Sequence, residues 1–138
     1  MALINILIAE DNIYDYESAF RKLNYLESTG EIIHVKDGEK AIEYLFQTGE
    51  YAGAPGYIKP DLFLLDLRMP KINGEEVLEK IKLDGSEEMK SIPVIIFTTI
   101  DDKFTNKKCF ESGAKGFLEK PINLTYLKDL LVTLGLVQ

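Results

Sequence analysis

Residues 61–66 read DLFLLD, an apolar run from Leu62 to Leu65 that stops on the carboxylate of Asp66. A short hydrophobic stretch without alternation suits a strand covered on both faces, as in a parallel sheet. The same form recurs on either side. LINILI (Leu3–Ile8) precedes Glu10 and Asp11, and PVIIF (Pro93–Phe97) precedes Thr98. EIIHV (Glu31–Val35) and AKGFL (Ala114–Leu118) are more mixed and complete the set.

The intervening segments have helical spacing. Tyr16, Ala19, Phe20, Leu23 and Leu26 recur at threes and fours, as do Ala41, Ile42, Leu45 and Phe46. Val77, Leu78 and Ile81 form a shorter set, and Leu124, Leu127, Leu130, Leu131 and Leu134 a longer one. Segment 102–112 is a weaker helix, anchored by Phe104 and Phe110 and presenting Lys107 and Lys108 to solvent. The alternation is (βα)5, which predicts an α/β fold: a doubly wound, parallel, five-stranded sheet with right-handed crossovers. Asp37-Gly38 and Asn73-Gly74 punctuate helix or turn starts, and Asn123 is placed to cap the last helix. EYAGAPGYIKP, residues 50–60, has no period and is expected to be a long loop with the most freedom in the chain.

Composition bounds the function. The 138 residues fit one domain, 46% hydrophobic and 28% charged, with a formal net charge of −7. That charge argues against a nucleic-acid binder, which needs a basic face. A single cysteine, Cys109, excludes an internal disulfide framework, and a single histidine, His34, excludes a multi-histidine metal site. Cys109 is expected to pack in a helix and His34 to be structural. The opening apolar run has no basic residues before it and is broken by Glu10 and Asp11, so it reads as a strand rather than a signal peptide. No stretch approaches the roughly 18–20 apolar residues of a membrane span. The expectation is a cytoplasmic protein with no nucleic-acid or membrane partner.

In an open parallel sheet, ligands bind beyond the carboxyl ends of the strands. Those ends carry Glu10 and Asp11, then Asp66, Thr98 and, after the fifth strand, Lys120-Pro121. Acids packed together repel one another, and a divalent cation removes the conflict. All-oxygen ligands with room for water favour Mg²⁺ over Ca²⁺ or Zn²⁺. A metal beside an anionic nucleophile and a lysine is apparatus for phosphoryl transfer, with Asp66 as the candidate nucleophile forming an acyl phosphate. Taken alone, Glu10 and Asp11 would also suit a helix N-terminus. Asp66, Thr98 and Lys120 beside them favour the site.

These residues resemble a known family. Glu10-Asp11, the block Leu64 to Gly74 (LLDLRMPKING), Thr98 and Glu119-Lys120-Pro121 look like the receiver domain of two-component response regulators, with its CheY-like, flavodoxin-like fold. The resemblance runs from about Ile4 to Leu134 and implies one receiver over residues 1–138, with no output domain. It implies that Asp66 accepts a phosphoryl group from a sensor histidine kinase or a histidine phosphotransfer protein. Glu10, Asp11, Asp66 and the backbone carbonyl of Arg68 would hold Mg²⁺. Lys120 would pair with a phosphoryl oxygen, its bond to Pro121 cis. Thr98 and Phe117 would be the switch pair, reshaping the face of the fourth helix, fifth strand and fifth helix for a partner. Such a protein catalyses only its own phosphorylation and dephosphorylation. Tyr44–Tyr51, the loop after them and Ile92–Thr99 resemble the small stand-alone regulators of bacterial phytochromes. A homodimer through the switch face or the long loop is left open.

The sequence departs from the family pattern at two positions: Thr99 stands where many receivers carry a smaller residue, and Phe117 lacks the hydroxyl of a tyrosine. Arg68 and Ile100 flank the same approach as Thr99. Crowding by Arg68, Thr99 and Ile100 is expected to shield the aspartyl phosphate from water. Two other classes are weighed. A phosphorylation-independent pseudo-receiver would have lost site residues, and an aspartyl-phosphate phosphatase of the haloacid-dehalogenase type would carry a second acid where Arg68 stands. A flavodoxin-like FMN site is disfavoured by Glu10 and Asp11, which would repel the phosphate.

Overall fold

The computed structural model describes residues 3–99 and 103–137, with the side chains of 103–106 outside that description. Ile100 and the side chain of Phe104, singled out above, and Asp101-Asp102, expected from the sequence to start the helix of segment 102–112 electrostatically, therefore lie outside the described residues. The chain runs β1 (Ile4–Ala9), α1 (Ile13–Leu23), β2 (Thr29–Val35), α2 (Gly38–Phe46), β3 (Leu62–Leu65), α3 (Gly74–Asp84), α4 (Glu87–Lys90), β4 (Val94–Thr98), α5 (Lys103–Glu111), β5 (Gly116–Glu119) and α6 (Leu124–Thr133). All pairings are parallel, and the five-stranded sheet has the order β2-β1-β3-β4-β5.

The burial pattern explains why the apolar runs were so informative. Every residue of β3 and β4 is buried, whereas the edge strand β2 is mostly half-buried and the edge strand β5 alternates. Successive side chains serve opposite faces. Leu7, Ala9, Phe63, Leu65 and Ile96 pack on one side with Val77 and Leu78 of α3 and Cys109 of α5. Ile6, Ile8, Leu62, Leu64, Ile95 and Phe97 pack on the other with Ala19 and Leu23 of α1 and Leu127 and Leu131 of α6.

Helix starts follow local chemistry. Asn12, Asp37, Asn73 and Asn123 each accept a backbone N–H from the first turn, and Asn73 with Glu76 forms a full capping box. The cap of α1 is thus Asn12, which leaves Glu10 and Asp11 for other work.

Several expectations are corrected. Glu87–Lys90 adds a helical turn capped by Ser86, too short to show a period in sequence. Phe110 is 50% exposed, and Cys109 is the buried residue among the described side chains of α5. Lys108 is exposed, as expected of a solvated face, and its ammonium also pairs with Glu75 of α3 at 3.3 Å. The loop over 50–60 begins with a 3-10 turn, Gly49–Tyr51, and is held by a tyrosine cluster. The Tyr44 hydroxyl donates to the Ile58 carbonyl at 2.6 Å, and its ring lies 5.2 Å from Tyr51 and 5.1 Å from Tyr57.

Candidate functional site

Register brings the site residues level. Ala9 pairs with Leu65 across β1 and β3, so Glu10 and Asp66 follow their strands side by side. Backbone bonds extend the ladder one residue further, from Asp66 N–H to the Ala9 carbonyl at 3.1 Å and from Lys120 N–H to the Thr98 carbonyl at 3.0 Å. Glu10 N–H reaches the Val35 carbonyl at 3.0 Å. Each functional side chain therefore stands on a backbone fixed by the sheet.

Glu10, Asp66 and Thr98 are buried, and Asp11 is exposed at the mouth. The Lys120 side chain, 8% exposed, brings its ammonium against Glu10 Oε1, 3.4 Å from Asp66 Oδ2 and 3.2 Å from Asp15 Oδ2. Its cation lies 5.1 Å from the Phe97 ring centre. Asp66 Oδ1 accepts the Arg68 N–H at 3.2 Å, and Glu10 Oε2 accepts the Asn12 N–H at 3.1 Å. The Lys120–Pro121 bond is cis, as the resemblance implied.

Burial pushes the Glu10 carboxyl up to about 7, against the pull of Lys120, with the Asp66 charge adding to the rise. Desolvation opposes the charge on Lys120, but the hydrogen bond to Glu10 and the Asp66, Glu10 and Asp15 carboxylates outweigh it and raise its pKa. Carboxylate oxygens of Glu10, Asp11 and Asp66 come within 4.8 Å of one another. This all-oxygen donor set fits a hard divalent cation, whose charge would offset their repulsion.

Phe117 is half-buried, pairs with Ile96 in register and meets Phe110 edge-on at 4.8 Å. Arg68 is exposed beside Asp66. Thr99 is exposed and, with Asp15, Ser18, Phe97, Lys120 and Pro121, lines a cavity of about 170 Å³.

Two contacts went unread in the sequence. Asp15, on the first turn of α1, pairs with Lys120 across 105 positions. Its signal was a carboxylate one helical turn beyond Asp11. His34 Nε2 hydrogen-bonds the Glu10 carbonyl at 2.8 Å, and its ring stacks on Tyr16 at 3.6 Å between centres. A lone histidine on an edge strand carried no such signal.

Sheet order and crevice together define a doubly wound α/β module whose buried aspartate, acid pair and lysine converge on one cation-ready site, with Thr98 at the end of β4 bonded through its carbonyl to the Lys120 N–H. Comparison with known proteins makes the class specific. The sequence pattern of the response regulator receiver domain matches residues 6–132. Response regulator Rcp1 of Synechocystis sp. is 36% identical over 125 residues, covering 91% of this chain and 80% of Rcp1. A solved Mn²⁺-bound form of response regulator Rcp1 matches with a TM-score of 0.75 and 34% identity, covering 95% of this chain and 88% of that one. The bacteriophytochrome response regulator AtBRR superposes with a TM-score of 0.84 at 33% identity, over 100% of this chain and 96% of that one. The probable methanogenesis regulatory protein FilR2 of Methanothrix harundinacea is 34% identical over 123 residues, covering 89% of this chain and 76% of FilR2. The chain belongs to the response regulator receiver domain family.

Proposed function

We propose that Asp66 accepts a phosphoryl group from the phosphohistidine of a sensor histidine kinase or a histidine phosphotransfer protein. The observation that carries this reading is the buried meeting of Asp66 with Lys120 beside the Glu10 and Asp11 carboxylates. Asp66 is held by the Arg68 N–H, so its carboxylate is oriented before the donor arrives. A carboxylate oxygen bonds to phosphorus as the P–N bond breaks, and the released imidazole nitrogen keeps the electron pair and takes a proton. Lys120 neutralises charge on the phosphoryl oxygens, and the Thr98 hydroxyl, at the end of β4, supplies a further donor.

The cation we assign is Mg²⁺, held by Glu10, Asp11, Asp66 and the Arg68 carbonyl. Bound there, it supplies neutralisation of the carboxylates and of the transferred group. The chain's chemistry is limited to gaining and losing that group. Its read-out is the face of α5, β5 and α6, where Phe110 packs on Phe117. Likeness to Rcp1 and to a bacteriophytochrome response regulator supports a phytochrome-type kinase as donor.

Acetyl phosphate with Mg²⁺, followed by intact-mass measurement, tests the reading. The native chain is expected to gain about 80 Da and Asp66→Asn nothing. An unmodified native chain, or an undiminished gain in Asp66→Asn, would refute it.

A further inference from the structure

We infer that Asp15 is a positioning residue that competes with the incoming phosphoryl group for the Lys120 ammonium and so restrains phosphorylation of Asp66. The inference rests on the phospho-acceptor reading above.

An ammonium has three N–H donors and no acceptor. The Lys120 ammonium faces carboxylates of Glu10, Asp15 and Asp66. Glu10 and Asp66 also belong, with Asp11, to the oxygen cluster suited to a cation, whereas Asp15 does not. A cation would therefore draw on the charge of Glu10 and Asp66 and leave Asp15 as the acid engaged with Lys120 alone. A carboxylate 3.2 Å from the ammonium offsets its field at the phosphoryl position and adds a like charge near the incoming dianion. Both effects oppose the phosphorylated state.

Lys120 does not depend on Asp15 for its place. Its backbone is tied to the Thr98 carbonyl and its ammonium lies near the Phe97 ring, and neither contact involves the carboxylates a cation would engage. The Asp15 side chain is 37% exposed and borders the cavity it shares with Ser18, Thr99 and Pro121, so an uncharged replacement fits without overpacking. A first-turn acid also favours the helix dipole, which explains a carboxylate on that turn but not its contact with a lysine on the far side of the chain.

The test compares native chain, Asp15→Asn, Asp15→Glu and Asp66→Asn. Beryllium fluoride binding at saturating Mg²⁺ is followed by ¹⁹F NMR, and acetyl phosphate uptake by intact mass. Asp15→Asn is expected to bind beryllium fluoride about three- to tenfold more tightly and to gain phosphate faster by a similar factor. Asp15→Glu, which keeps a carboxylate within reach, is expected to return both to native values. A purely structural role would weaken binding in Asp15→Asn. Unchanged or weaker binding there, with a responsive native chain, overturns this inference alone. A native chain that takes neither ligand overturns the phospho-acceptor reading and this inference with it.

Discussion

Lys120 brings one positive charge to acids from three elements: Glu10 after β1, Asp15 on α1 and Asp66 after β3. Such a junction works only if its members are held, and His34 does part of the holding. It pins the Glu10 carbonyl at 2.8 Å and is clamped by Tyr16 at an interplanar angle of 5°. His34→Leu would lose both the hydrogen bond and the stacking. We expect a loss of about 1–2 kcal/mol, read by urea denaturation, together with weaker cation binding. Little or no change in either would show that Glu10 needs no support from the His34 ring. Near the acceptor, Arg68 follows β3 and Thr99 follows β4, and both are exposed. If they screen the aspartyl phosphate from water, Arg68→Asn and Thr99→Ala each lose the phosphoryl group severalfold faster than the native chain. Time courses by intact mass would decide, and matched half-lives would remove the screening idea.

Elements were legible in proportion to how much of their burial was continuous. The fully buried strands β3 and β4 announce themselves, while the starts of edge strands β2 and β5 differ by two residues from the sequence reading, because partial burial leaves no continuous apolar run to mark their ends. Strand-end positions gave Glu10, Asp11, Asp66, Thr98 and Lys120, since topology alone places them. Asp15 and the tyrosine clamp on the long loop depend on contacts between elements, which no local pattern encodes. The turn from β3 into α3 shows how closely an element can constrain the site. A Cβ on Gly74 would stand 2.6 Å from the Asp66 carbonyl oxygen and 2.8 Å from the Leu67 Cα. Both atoms are backbone and cannot swing aside. Gly74→Ala is therefore expected to cost about 1–3 kcal/mol and to displace Asp66, lowering phosphate uptake as well as thermal stability. Uptake at the native rate with only the stability reduced would mean that the turn yields away from the acceptor.

At the scale of the whole molecule, the site is a stability liability that a bound cation would relieve. Glu10 is fully buried, and desolvation pushes its carboxyl from its ordinary 4.5 up to about 7. Between those values the folded chain keeps a proton that the unfolded chain has released. The folded state therefore binds more protons, and stability must fall as pH rises through this window. Lys120, with its pKa raised, stays charged throughout and does not reverse the sign. The loss across the window is at most about 3 kcal/mol. Without divalent cation, the native chain is thus expected to melt at a lower temperature at pH 8 than at pH 5.5. Glu10→Gln, which keeps the shape and removes the charge, should flatten that slope and exceed the native chain in stability at pH 8. Added Mg²⁺ should reverse the ranking, because a ligand that binds only the folded state stabilises the chain that binds it better. Melting curves at both pH values, with chelator and with Mg²⁺, measure all of this. A native curve independent of pH, or a Glu10→Gln chain that gains as much from Mg²⁺ as the native one, would show that the Glu10 charge is neither the liability nor part of the cation's seat.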